Sequence, residues 1–196
     1  MKRMTILVAV MLMLTMAFPA AAEESPWTDG MLDLEGSRYV LVLPEGMVNA
    51  ESTTDEMAVA KSEDYGKNGG LYIGVALLEN TTVDDARNAD VESIGAELKK
   101  EYGSNAILPG MEDASLFWML LQASRESGVW MRRGRETLDG DEFKYIFIET
   151  TGSSAEGRVI YLYLPAEENV YRLTYIMTEA YFDEPANLFY GTLMPR

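Results

Sequence analysis

The sequence predicts an α+β domain: a mostly antiparallel sheet of about seven strands with helices packed on it, an αβα sandwich. Three observations carry that expectation. Apolar runs rich in β-branched and aromatic residues recur along the chain. In the second half they are joined by short polar turns, which make neighbouring strands antiparallel. One long stretch, residues 83–102, instead carries apolar residues at helical spacing.

The first segment reads as a leader, not as part of the fold. Lys2 and Arg3 precede a nearly unbroken apolar run over residues 4–17, and Ala20 and Ala22 supply the small residues of an A-x-A cleavage site. The apolar run is shorter than the ~20 residues a spanning helix needs. Residues 1–22 are therefore expected to be a signal peptide and residues 23–196 a single exported domain, periplasmic or extracellular.

Residues 38–43 (RYVLVL) form the first expected strand, closed by Pro44-Glu45-Gly46. Residues 56–61 and 71–78 are expected to pair as a hairpin around the glycine- and asparagine-rich segment 62–70. Thr82 and Asp85 have the form of a capping box, with Asp84 and Asp85 at the positive end of the helix dipole and Lys99 and Lys100 at the negative end. Val91, Ile94, Leu98 and Tyr102 make one apolar stripe, and Gly103 stops the helix. Residues 107–110 suggest a short extended piece and a turn. Residues 113–124 fit a buried helix, and nearly as well a buried strand through 116–121, since short apolar runs do not separate the two.

From residue 129 onward four strands are expected, at 129–138, 142–151, 158–164 and 170–177. Residues 179–193 close the chain as a helix, with Phe182, Ala186, Phe189 and Leu193 on one face.

The chain carries 16 Lys and Arg against 32 Asp and Glu, a formal net charge of -16. Loss of Lys2 and Arg3 with the leader makes the balance more acidic still. Such a chain repels phosphate backbones and anionic lipid surfaces, so no nucleic-acid partner is expected. It has no Cys and no His. Disulfides, the usual nucleophile–histidine sites and the nitrogen and sulfur ligands of zinc, copper and iron are thereby excluded. No glycine-rich loop matches a nucleotide fingerprint, and no cofactor is implied.

The order of elements resembles the PsbP-like superfamily of exported proteins, with its Mog-type and DcrB-type members. Four stretches carry the likeness: LVLPEGM; LYIGVALLENTTVDDARNADVESIGAELKKEYG; LDGDEFKYIFIETTG followed by GRVIYLYLP; and VYRLTYIMTEAYFDEPANLFYGTLM. The resemblance implies an αβα sandwich and a non-enzymatic binding or assembly role. It supplies no ligand and no functional residue.

Three weaker signals remain. A carboxylate such as Glu142 or Glu149 would serve a hydrolase only if a second acid faced it across a cleft. Asp139-Gly140-Asp141-Glu142 offers oxygen donors for calcium, yet a hairpin turn accounts for it as well. Tyr161, Tyr163, Tyr171 and Tyr175 alternate on adjacent strands and are expected to pack across them, with an aromatic recognition surface as the alternative.

The remaining signal is an island of positive charge, WMRRGRETLDGDEF, where Arg132, Arg133 and Arg135 crowd one strand. A two-residue turn would set Arg135 opposite Lys144, a like-charge pair. The expected register is therefore a three-residue loop over 139–141, with Glu136 opposite Lys144 and Met131 opposite Glu149. Strand alternation puts Arg133 and Arg135 on one face and Arg132 with Trp130 on the other. Each pair is a candidate for binding an anionic ligand or an acidic partner, an envelope protein or a small molecule. Ion pairing within so acidic a chain is the plainer account.

Overall fold

The computed structural model describes residues 26–52, 55–63, 65, 70–107, 128–151, 157–178 and 183–196. The expected signal peptide, the helix-or-strand segment 113–124 and the start of the closing helix at 179–182 lie outside them.

The strands are β1 (Met31–Asp33), β2 (Tyr39–Val42), β3 (Met47–Ala50), β4 (Ala58–Ser62), β5 (Leu71–Leu78), β6 (Ala106–Ile107), β7 (Gly128–Leu138), β8 (Asp141–Thr151), β9 (Gly157–Ala166), β10 (Asn169–Thr178) and β11 (Leu193–Pro195). The helices are α1 (Val83–Tyr102) and α2 (Pro185–Thr192). The large sheet runs β3-β4-β5-β10-β9-β8-β7-β6, and a small sheet runs β1-β2-β11. All pairs are antiparallel except β6 with β7. Pairing of β10 with β5 joins the amino-terminal strands to the carboxy-terminal meander, so β10, the last of the large sheet's strands in sequence, lies near its middle.

The sheet is covered on both faces. On one, Ala86 and the stripe Val91, Ile94, Leu98 and Tyr102 of α1 pack on Val129, Met131, Ile146, Ile148 and Val170. On the other, the small sheet and α2 bury Leu41, Leu193, Leu188 and Phe189 against Phe143, Tyr145, Leu162, Leu173 and Tyr175. This double cover is why β5 reads as an apolar run, buried at its first six residues, and does not alternate. The long helix occupies the expected residues 83–102. The Thr82 hydroxyl accepts from the Asp85 amide at 3.2 Å, and the Gly103 N–H reaches the Lys99 carbonyl.

Two expectations are corrected. The closing helix ends at Thr192, and Leu193 turns into β11 to pair with Leu41. Its buried face is Pro185, Leu188, Phe189 and Thr192, with Ala186 only half-buried. The β7–β8 turn has two residues, not three. Asp139 and Gly140 take φ of 51° and 89°, the primed turn whose twist matches the strands, and glycine accepts that left-handed backbone without strain. Arg135 therefore stands opposite Lys144, Glu136 opposite Phe143 and Met131 opposite Ile148. The like-charge pair is tolerated because acids outside the hairpin answer it: Asp84 of α1 lies 2.9 Å from the Lys144 ammonium.

Candidate functional site

The island divides as strand alternation requires. Met131, Arg133, Arg135 and Thr137 face α1, while Trp130, Arg132, Gly134, Glu136 and Leu138 face α2 and the small sheet.

On the α1 side, Arg133 and Arg135 are exposed. Beside them lie Lys144 of β8 and Arg87 of α1, whose side chain is 7% exposed. Asp84 accepts from Arg87 at 3.2 Å and from Lys144 at 3.0 and 2.9 Å. The Lys144 hydrogen bond, with that ammonium's charge, holds the Asp84 carboxyl below its usual range. Glu142 reaches Arg135 at 3.4 Å and Lys144 at 3.8 Å, long pairings for an exposed carboxylate. The Nε of Arg87 is buried without a hydrogen-bond partner. Burial lowers the Arg87 pKa, and the charges of Arg133 and Arg135 add to that.

On the opposite face Arg132 is built into an aromatic stack. Its guanidinium lies 4.8 Å from the Phe147 ring centre, 5.6 Å from Trp130 and 5.8 Å from Tyr145. It donates a long hydrogen bond of 3.5 Å to the Tyr145 hydroxyl, which donates to Glu136 at 3.3 Å. Arg158 stacks on Phe147 at 5.8 Å and donates to the buried Glu149 at 3.1 Å. Trp130 and Arg132 thus share one cluster, as Arg133 and Arg135 share another.

Sequence reading missed a polar row across the middle of the α1 face. Arg135, Lys144, Tyr163 and Arg172 sit in register on four strands. Asp90 accepts from Tyr163 at 2.7 Å and pairs with Arg172 at 3.2 Å. Further along, the half-buried Glu56 accepts from Tyr72, and burial pushes its carboxyl pKa up. The one available signal was on α1: Asp84, Arg87 and Asp90 fall at i, i+3 and i+6, a polar stripe beside the apolar one. Tyr171 and Tyr175 do not join Tyr161 and Tyr163, since their register partners Leu164 and Ile160 place them on the other face.

The residues of the two chemical alternatives have definite places in this geometry. Glu142 and Glu149 lie on opposite faces of β8, so the two are not partners of one another. In the acidic turn, Asp141 accepts from Arg38 at 2.8 Å and Tyr39 at 2.5 Å. Burial and then that carboxylate push the Tyr39 hydroxyl up to about 12. A cavity of about 230 Å³ lies there, lined by Arg38, Tyr39, Asp141, Glu142, Phe143 and Pro165 among others.

No family model and no curated protein matches the chain. Among solved structures it is similar to LpqN. That protein is described as involved in cell envelope biogenesis of Mycobacterium tuberculosis. The match has 14% identity over 83% of this chain and 87% of LpqN, with a TM-score of 0.40. Among the described residues no helix is long and apolar enough to cross a membrane.

Proposed function

We propose that the chain is an exported, non-catalytic binding or accessory protein of PsbP-like type, and that Arg133 and Arg135 take an anionic group of its ligand or partner. One observation carries this reading. Among the described residues every arginine except Arg132 and Arg133 makes an ion pair with a carboxylate. In a chain of net charge -16, acids are in surplus, and Arg133 is exposed and yet pairs with none among the described residues. Arg132 is accounted for by its three rings. Arg133 has no such account, and its neighbour Arg135 holds Glu142 only loosely. The leader-like sequence of residues 1–22, the absence of His and Cys, and the order of elements support the remaining parts of the reading.

Two measurements test it. Mass spectrometry of the exported protein should find Glu23 as the first residue; a retained leader counts against export by this route. Retention on a polyglutamate surface should be strong for the native protein, fall with added salt, and be lost in Arg133→Ala/Arg135→Ala. Retention that ignores both salt and the arginines would remove the anion-binding reading.

A further inference from the structure

We infer that the outer edge of β7 takes an extended acidic segment of a partner protein as an added strand. This rests on Arg133 and Arg135 being the anion-taking pair, and it names what brings the anions.

β7 is the longest exposed edge in the described structure. It pairs with β8 over eleven consecutive positions, from Gly128 to Leu138, without a bulge. On its other side, among the described residues, β6 pairs with Val129 and Trp130. From Met131 to Leu138 the outer edge pairs with no strand among the described residues. Such an edge presents a row of free N–H and C=O groups that a further strand can use.

Proteins blunt edges with proline, bulges or charge, and β7 uses charge alone. The sign of the charge decides what the edge excludes and what it admits. In a chain this acidic, the cheapest guard is another carboxylate, yet the edge carries exposed Arg133 and Arg135. Two residues apart on a strand, they lie about 6.6 Å from each other along it. A strand added alongside would present its own alternate side chains to them at the same spacing. Carboxylates at positions i and i+2 of the incoming segment answer the pair. The opposite face is closed to a second set of charges, because Arg132 is already held by Trp130, Tyr145 and Phe147. The side chains between the two acids therefore meet aromatic surface, which favours apolar residues there.

A second copy of the chain is a poorer occupant. Pairing of two β7 edges about a two-fold axis would face one arginine pair with the other, and like charges opposite one another weaken a sheet.

The test uses the full exported chain and two synthetic nine-residue peptides of equal composition. In one, Glu and Val alternate; in the other they are grouped in blocks. The alternating peptide should bind and slow the hydrogen exchange of β7 amides between Arg132 and Leu138. The block peptide should bind at least about tenfold more weakly, and Arg133→Ala/Arg135→Ala should cost a similar factor with the alternating one. Both arginines are exposed, so the variant keeps the fold. If both peptides bind equally through the arginines and no β7 amide is protected, strand addition is overturned while anion binding stands. If neither peptide binds, both readings fall. Protection of β7 at rising protein concentration without peptide would replace the acidic partner by a second copy.

Discussion

The ring of Tyr145 lies across Gly134, in the space a side chain there would occupy. A Cβ at residue 134 would meet the Tyr145 Cζ at 2.1 Å. The glycine that interrupts the arginine island is therefore a seat for the phenol that links Arg132 to Glu136.

Gly134→Ala should destabilise the protein by about 1–3 kcal/mol, the usual cost of forcing extra volume into a packed site. Urea unfolding measures it. The cost should shrink in a Tyr145→Ala background, because the clash is between those two groups. An equal cost with and without the ring would show that the glycine serves something else.

Phe189 should be the most expensive single truncation in α2. It is fully buried and meets Phe143, Tyr145 and Tyr175 at ring-centre distances of 6.1, 5.6 and 6.2 Å. Phe189→Ala should cost about 3–5 kcal/mol. Tyr190, one residue on and 60% exposed, should tolerate alanine within about 0.5 kcal/mol. A thermal or urea melt of both variants checks the contrast, and equal losses would refute the placement of α2.

Most of the fold was legible because local signals agreed with one another. The α1 helix had a cap, a stripe and a glycine stop, and the strands from residue 128 had apolar runs between polar turns. The small sheet was not legible. β1 and β11 have three residues each, too few for a period to show, and they exist only because β2 lies between them. The hairpin register failed for a related reason. Local charge counting disfavours Arg135 opposite Lys144, but Asp84 arrives from a helix 60 positions away in sequence. The split of the arginines between two faces survived that error, since alternation along β7 does not depend on its partner.

Two of the perturbed carboxyls, Asp84 and Glu56, should pull stability in opposite directions with pH. Lys144 lowers the Asp84 pKa, so its contribution is present at neutral pH and is lost as pH falls through and below the ordinary carboxylate range. Asp84→Asn should reduce stability at pH 7 and flatten the acid limb of the stability curve. Burial raises the Glu56 pKa, so its ionised form opposes folding. That contribution is most favourable below the ordinary carboxylate pKa and declines as pH rises through the raised folded value. Glu56→Gln can still accept from Tyr72, and it should raise the melting temperature at pH 7 with the gain vanishing in acid. Melts of the three proteins between pH 3 and pH 8 decide it; parallel curves would mean that neither carboxyl is coupled to folding as its surroundings imply.

The faces of β7 imply a division of labour between adjacent arginines. Arg132 stacks on three rings and holds Tyr145, so it belongs to the packing of the α2 face. Cation–π contact at a half-buried site is worth about 1–2 kcal/mol. Arg132→Ala should cost about that much stability and leave polyglutamate retention unchanged. Arg133 is exposed and makes no ion pair among the described residues, so Arg133→Ala should leave the melt within about 0.5 kcal/mol of native. It should, however, weaken retention. Lysine at 132 keeps the charge but not the planar stack, and should recover only part of the stability. Lysine at 133 keeps what an exposed anion requires and should recover most of the binding. If alanine at 132 cost binding and alanine at 133 cost stability, the roles assigned to the two faces would be reversed.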